Sequence, residues 1–167
     1  KLMKKTILIA CLGLVSLCLQ AQSISLAGEW NVELGKSGSA FAKSKRASQG
    51  EVNRAILPGT IDTNHLGFAP KDTMETTHLT RLYAYKGAAR YYRTINIPKD
   101  WKKKPVELFL ERTRPTWVYV DGELVDSCNI ISTPQRYLLP KKVKPGKHLL
   151  EIVVDNGRGV PEQVYGS

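Results

Sequence analysis

The sequence contains few cysteines and few histidines, which limits the chemistry it can support. Among 167 residues there are three of each. Cys11 and Cys18 lie in the N-terminal apolar segment, so Cys128 is the only cysteine in the rest of the chain. A single thiol forms no internal disulfide and no cysteine-based metal site. We expect Cys128 to be a half-buried thiol, because no histidine or aspartate pattern surrounds it, and we expect no metal ion or cofactor.

Long apolar runs are also scarce, and the one that exists lies at the N-terminus. Residues 6–19 carry no charge, but this run is shorter than the ~20 residues that a membrane-spanning helix needs. Lys4 and Lys5 precede it, and Leu19-Gln20-Ala21 follows as a signal peptidase site with cleavage after Ala21, which is the pattern of a secretory signal peptide. We therefore expect residues 1–21 to be a signal peptide and the protein to be exported, to the periplasm or the exterior.

A lipoprotein signal is a second interpretation of the same segment. The apolar run before Cys11 is too short for it, and the residue before Cys18, Leu17, is too large. Cleavage after the signal leaves residues 22–167 as one domain, in which we expect no transmembrane span.

Acidic residues are outnumbered by basic ones, 15 to 25, and the formal net charge is +10. The lysines lie in turns among prolines and glycines, as in residues 102–104 and 141–147. A nucleic-acid interface would cluster basic residues on one element, interleaved with aromatics, and would act inside the cell. We therefore expect no nucleic-acid partner, whereas an anionic polysaccharide is compatible with the charge.

No segment after the signal shows a long helical period, and the dominant pattern is period two with β-branched and aromatic residues. The strand-like segments are 25–34, 53–57, 89–97, 106–111, 117–121, 123–125, 135–139 and 148–155. About seven or eight strands separated by turn signals predict an all-β sandwich. Asp121-Gly122 predicts a tight hairpin. We expect the strands of residues 88–125 to pair as an antiparallel meander at the centre of the fold.

The alternation also predicts which side chains are buried. Residues 148–155 are apolar on both faces, so we expect this segment to be a central strand. Leu108, Leu110, Leu150 and Ile152 are expected in the core.

A series of short motifs occurs in a fixed order along these strands. They are GEW at 28–30, LPGTID at 57–62, YKGAARYYR at 85–93, IPKDW at 97–101, ER at 111–112, VYVDG at 118–122 and VDN at 154–156. Each is common in β proteins, but the ordered set resembles the N-terminal sugar-binding domain of family 2 glycoside hydrolases, the β-galactosidase and β-glucuronidase type. The resemblance covers nearly all of residues 24–156 and implies a jelly-roll sandwich like that of galactose-binding domains.

The resemblance also implies where the chemistry lies. Glycosidases of this type use two glutamates, an acid/base and a nucleophile, and the family carries both in a downstream (β/α)₈ barrel. Such a barrel needs roughly 250 residues, more than this chain has. We therefore expect no catalytic residue here, and expect the chain to be the N-terminal part of a longer exported glycosidase, with the barrel as its partner domain and a carbohydrate as substrate.

Domains of this type can lend loop side chains to the rim of the active site. Two stretches are candidates for sugar binding. The long polar loop of residues 60–87 contains His78 and Arg81, and the exit from the last strand contains Asp155, Asn156 and Arg158. Their side chains can hydrogen-bond sugar hydroxyls. The Asp-Asn-Gly sequence at this exit also fits a plain turn.

The remaining polar and aromatic residues favour structural roles. Glu107 and Glu111 share a strand face but lie about 13 Å apart by strand rise, too far for either glycosidase geometry. We expect them to face solvent or to pair across the ladder, and we expect His65 and His148 to be structural. The tryptophans can stack on sugars but are more often core or interdomain residues; they are Trp30, Trp101 and Trp117.

Three classes of function remain open at this point. The chain is an accessory domain of an exported glycosidase, a free-standing carbohydrate-binding module, or a structural cell-surface β-domain. The order of the motifs favours the first two over the third. A reading frame that continues into a barrel separates the first from the second.

Overall fold

The computed structural model describes residues 22–35, 52–69 and 82–157. The predicted signal peptide therefore lies outside the described residues. Within them the chain forms β-strands and a 3₁₀ turn at Lys99–Trp101. The strands are β1 (Gly28–Gly35), β2 (Asn53–Leu57), β3 (Ala88–Ile97), β4 (Glu107–Leu110), β5 (Thr116–Val120), β6 (Glu123–Cys128), β7 (Gln135–Leu138) and β8 (Gly146–Asp155). No helix among these residues is long and apolar enough to cross a membrane.

The strands form two antiparallel sheets. The larger has six strands in the order β2-β1-β3-β8-β5-β6, and the smaller pairs β4 with β7. β8 lies between β3 and β5 and pairs with both, which confirms the prediction of a central strand. The predicted all-β sandwich is confirmed.

The expected meander over residues 88–125 is wrong in its pairing. β3 and β5 both pair with β8, and β4 crosses to the second sheet, where it pairs with β7. Only the last two strands of the segment, β5 and β6, pair as expected. Their connection at Asp121 and Gly122 has φ values of 53° and 80°, as the predicted tight hairpin requires.

The core lies between the inward faces of the two sheets. Leu108 from the smaller sheet is buried, as are Leu150 and Ile152 from β8, which confirms three of the expected core positions. Leu110 is half-buried and packs against the same cluster. Trp30 is only 2% exposed and belongs to this core, so it is not available to stack on a sugar.

The outer face of the six-stranded sheet carries a buried ion cluster of Glu33, Arg90 and Glu151. Glu33 on β1 is the register partner of Arg90 on β3. The Arg90 guanidinium contacts the Glu33 carboxylate at 3.4 Å and also pairs with Glu151 of β8. All three residues are buried, and the cluster ties together the three central strands.

Candidate functional site

Two of the sequence candidates, Asp155 and Asn156, lie at one end of the six-stranded sheet. There β1 ends at Gly35, β3 begins at Ala88 and β8 ends at Asp155, and the three residues are neighbours in the ladder. We call this end the exit edge and define it as Gly35, residues 85–88 and residues 155–157. The chain continues from it into stretches 36–51 and 158–167, whose structure is not described.

Tyr85 joins two strands at the exit edge. Its hydroxyl accepts a hydrogen bond from the Gly35 N–H at 2.8 Å and lies 2.7 Å from the Ala88 carbonyl oxygen. Burial raises the pKa of this hydroxyl above its ordinary value. The hydrogen bond with the Gly35 backbone lowers this pKa, and the negative charge of Asp155 raises it, with burial the largest of the three effects. The group therefore stays protonated and remains a donor at neutral pH.

Gly87 allows the two strands to approach at this point. A Cβ atom there would lie 2.4 Å from the Gly35 carbonyl oxygen, a backbone atom that has no freedom to move aside. Only a glycine fits between Tyr85 and β3 without displacing β1.

Asn156 closes the edge from the other side. Its Oδ1 accepts a hydrogen bond from the Gly87 N–H at 2.7 Å, and its Nδ2 donates to the Tyr85 carbonyl at 2.7 Å. Its backbone N–H donates to the Gly87 carbonyl at 3.1 Å. The side chain thus replaces a stretch of sheet ladder between the end of β8 and the start of β3.

Asp155 is also directed into the fold. It is 1% exposed, and its carboxylate accepts a hydrogen bond from the Gly157 N–H at 2.8 Å. Its own N–H donates to the Pro115 carbonyl at 3.0 Å. The structure thus places Asp155 and Asn156 side by side at the exit edge, whereas His78, Arg81 and Arg158 lie outside the described residues.

A second polar tie, missed from the sequence, lies at Asn64. Its Oδ1 accepts from the Ile56 N–H at 2.6 Å, and its Nδ2 donates to the carbonyls of Ile56 and Thr60. It holds the turn that follows β2 and a cis Leu57-Pro58 bond. Asp62 in the same turn accepts from the Tyr83 N–H at 2.7 Å, so the LPGTID motif builds structure. Asn64 lies eight residues after Ile56, and no periodic pattern in the sequence indicates that the two residues are bonded.

Several glutamates that the structure describes form ion pairs with arginines. Glu107 is exposed and contacts Arg136 on the neighbouring strand at 2.5 Å, which confirms the expected ladder pairing. Glu33 and Glu151 are buried and share one guanidinium, that of Arg90. Neither arrangement is a pair of neighbouring carboxyl groups open to a sugar, which a glycosidase needs.

The histidines that the structure describes contact other side chains. His65 is exposed and stacks on Tyr83, with ring centroids 5.2 Å apart. His148 lies in β8 and contacts Asp121. Among residues 22–35, 52–69 and 82–157, no three metal-ligating side chains lie close enough together to hold an ion.

Replacing Asn156 by Ala is expected to lower the free energy of unfolding by about 1–3 kcal/mol, measured by denaturant titration. The change leaves the buried Gly87 N–H and the Tyr85 carbonyl without their side-chain partners. Asn156→Asp keeps the acceptor but sets a carboxylate oxygen against that carbonyl, so it should not rescue stability. Asn129→Ala, at an exposed loop asparagine, is the control and should change stability by less than about 0.5 kcal/mol. Equal effects at both positions would contradict the tie.

Comparison with known proteins places this fold. No protein-family model matches the chain, and no curated protein matches it. Solved structures do. A β-glucuronidase of Faecalibacterium prausnitzii matches over 80% of this chain and 21% of its own, with a TM-score of 0.59 and 21% identity. The Ruminococcus gnavus β-glucuronidase matches over 80% of this chain and 21% of its own, with a TM-score of 0.60 and 19% identity. The β-glucuronidase of Dictyoglomus thermophilum matches over 78% of this chain and 19% of its own, with a TM-score of 0.54 and 22% identity.

These likenesses confirm, for the fold, the resemblance carried by the motifs. The chain has the sandwich found in β-glucuronidases and spans about a fifth of the length of the proteins that it matches.

Proposed function

We propose that this chain is the N-terminal sugar-binding domain of an exported family 2 glycoside hydrolase, whose catalytic residues lie in a downstream barrel. The observation that carries the proposal is the match to β-glucuronidase structures over 80% of this chain but 21% of theirs. The ordered motifs support it independently, because they extend along nearly the whole sandwich. Export rests on the signal-peptide pattern of residues 1–21.

The division of labour follows from the carboxylates. A retaining glycosidase needs two carboxyl groups about 5–5.5 Å apart, one of them protonated. The described glutamates that lie close together, Glu33 and Glu151, are buried against Arg90 and closed to a sugar. The domain therefore contributes binding and orientation, and the barrel contributes bond cleavage.

In this proposal, the side chains that bind the sugar come from stretches of the sequence next to the exit edge. Asp155 and Asn156 hold the edge through the hydrogen bonds given above, so their part is to position the flanking segments. Arg81 and Arg158 come from those segments, and His78 from the same loop as Arg81. All three carry N–H donors suited to sugar hydroxyls or to a carboxylate.

Sequencing the gene beyond Ser167 tests the proposal. We expect an open frame long enough for a barrel, roughly 250 residues or more, with glutamates at the ends of its predicted strands. A stop codon soon after Ser167 would contradict it. In that case glycan binding by the purified chain would identify a free-standing carbohydrate-binding module, and its absence a structural β-domain.

A further inference from the structure

His148 occupies an unusual position at the end of the sandwich opposite the exit edge. It lies near the start of β8, and its side chain is 15% exposed. Its Nδ1 is 2.6 Å from Oδ2 of Asp121, in the turn between β5 and β6. Its Nε2 is 2.6 Å from the carbonyl oxygen of Lys144, in the turn that precedes β8. One imidazole ring thus bridges three segments of the chain.

Both partners of the ring are acceptors. A backbone carbonyl has no proton to give, and an aspartate that is half exposed is ionised at neutral pH. Asp121 Oδ1 already accepts the Leu149 N–H at 2.9 Å, so this carboxylate acts as an acceptor with both oxygens. Both ring nitrogens must therefore donate, and only the doubly protonated imidazolium does so.

Other contacts accompany this bridge. Asp121 exchanges backbone and side-chain hydrogen bonds with Leu149, and Glu123 of the hairpin pairs with Lys142 of the turn. A cavity of about 190 Å³, partly open to solvent, lies between the β5–β6 hairpin and the turn of residues 140–144. Its lining includes Val120, Leu124, Val143 and the His148 ring itself. The His148 ring lies in the wall of this cavity and contacts both the hairpin and the turn, so both contacts depend on the protonation of one ring.

The other charged groups around the ring are accounted for on each adjoining segment. On the hairpin, Glu123 pairs with Lys142 of the facing turn, so the two charges offset each other. The Lys144 ammonium donates to the Lys141 carbonyl at 2.9 Å. Lys147 on β8 is exposed, and the register partner of His148 on β3 is the uncharged Ile95. Asp121 is thus the charged group that contacts the ring.

We propose that His148, protonated between Asp121 and the Lys144 carbonyl, is a pH-sensitive latch that joins the Asp121 turn and the 140–144 turn at the start of β8. Loss of one ring proton sets a nitrogen lone pair against an acceptor oxygen, so one of the two contacts must break. The ring then holds only one of the two turns, while the β5–β8 ladder stays in place.

The direction of the pH dependence follows from the same contacts. The hydrogen bond to Asp121 raises the pKa of His148 above its ordinary value, and the Lys144 carbonyl adds to this while burial opposes it. The stabilisation is therefore complete below the unfolded-state pKa of about 6.5 and is lost as the pH rises through the higher folded-state pKa. Each unit between the two values corresponds to tenfold in the unfolding equilibrium constant.

The direct test is an NMR titration of the His148 ring in the purified chain. At pH 6.5 we expect both ring nitrogens to be protonated, with a titration midpoint above that of a free histidine, about 6.5. Asp121→Asn removes the charged acceptor and should lower the midpoint. Glu123→Gln removes a carboxylate from the same cavity without touching the ring, and should leave the midpoint in place. A wild-type midpoint at or below 6.5, or equal shifts in both variants, would overturn the proposal.

Unfolding experiments provide the second measurement. The urea midpoint of the wild type should exceed that of His148→Gln at pH 6, and the difference should shrink as the pH rises to 9. A difference that stays constant across this range would mean that His148 acts through packing alone, and the latch would be rejected. Should His148→Gln fail to fold, the wild-type ring titration still decides the question.

Discussion

Replacing Arg90 by Met is expected to lower the free energy of unfolding by about 3–5 kcal/mol, one of the largest single effects in this domain. Arg90 is 6% exposed and pairs with both Glu33 and Glu151, which are 1% and 6% exposed. Methionine fills much of the same volume but leaves two buried carboxylates without a counter-charge. Denaturant unfolding at neutral pH measures the loss.

Two further variants separate charge from packing at this cluster. Arg54→Met removes the arginine of an exposed pair with Glu29 and should cost less than about 1 kcal/mol, because surface ion pairs contribute little. The triple variant Glu33→Leu, Arg90→Met, Glu151→Leu removes all three charges and should be more stable than Arg90→Met alone. A triple variant less stable than the single one would show that the loss comes from packing.

Replacing Leu150 by Ala is expected to lower the free energy of unfolding by about 2–5 kcal/mol. Leu150 is 1% exposed and lies in β8, where it pairs with Arg93 of β3 and Val120 of β5. The deletion loses buried apolar surface and leaves a cavity at the strand around which both neighbours are arranged. Leu138→Ala is the matched control, because Leu138 is 65% exposed on β7 and should change stability by less than about 0.5 kcal/mol. Similar losses at both leucines would contradict the assigned faces.

Period-two alternation was enough to predict the strands and most of their buried faces. It placed Leu108, Leu150 and Ile152 inside, and the Asp121-Gly122 pair located the hairpin. These features are local, because side-chain direction in a strand is set by sequence position. The pairing of strands is not local, since alternation identifies a buried face without identifying the neighbour. The chain between β3 and β5 crosses to the other sheet, and for this reason the meander was wrong.

At the candidate site too, local features could be predicted from the sequence and long-range contacts could not. The position of Asp155 and Asn156 at a strand exit was predictable, because strand ends carry turn residues. Their partners were not, since Asn156 bonds to Tyr85 and Gly87, which are about 70 residues away in sequence. The ion cluster on the outer face was missed for a related reason. Glu33, Arg90 and Glu151 become neighbours only when β1, β3 and β8 are aligned in register.

An assay with aryl glycosides is the most direct test of the central claim. The claim is that this domain orients a sugar and that another domain cleaves it. The purified chain, residues 22–167, is incubated with nitrophenyl β-galactosides, β-glucuronides and β-mannosides, and release of nitrophenol is followed. We predict no turnover above that of buffer, because the described glutamates form no pair suited to acid and nucleophile roles. Turnover that persists after purification, and disappears when one of the chain's own Glu or Asp residues is replaced, would contradict the account.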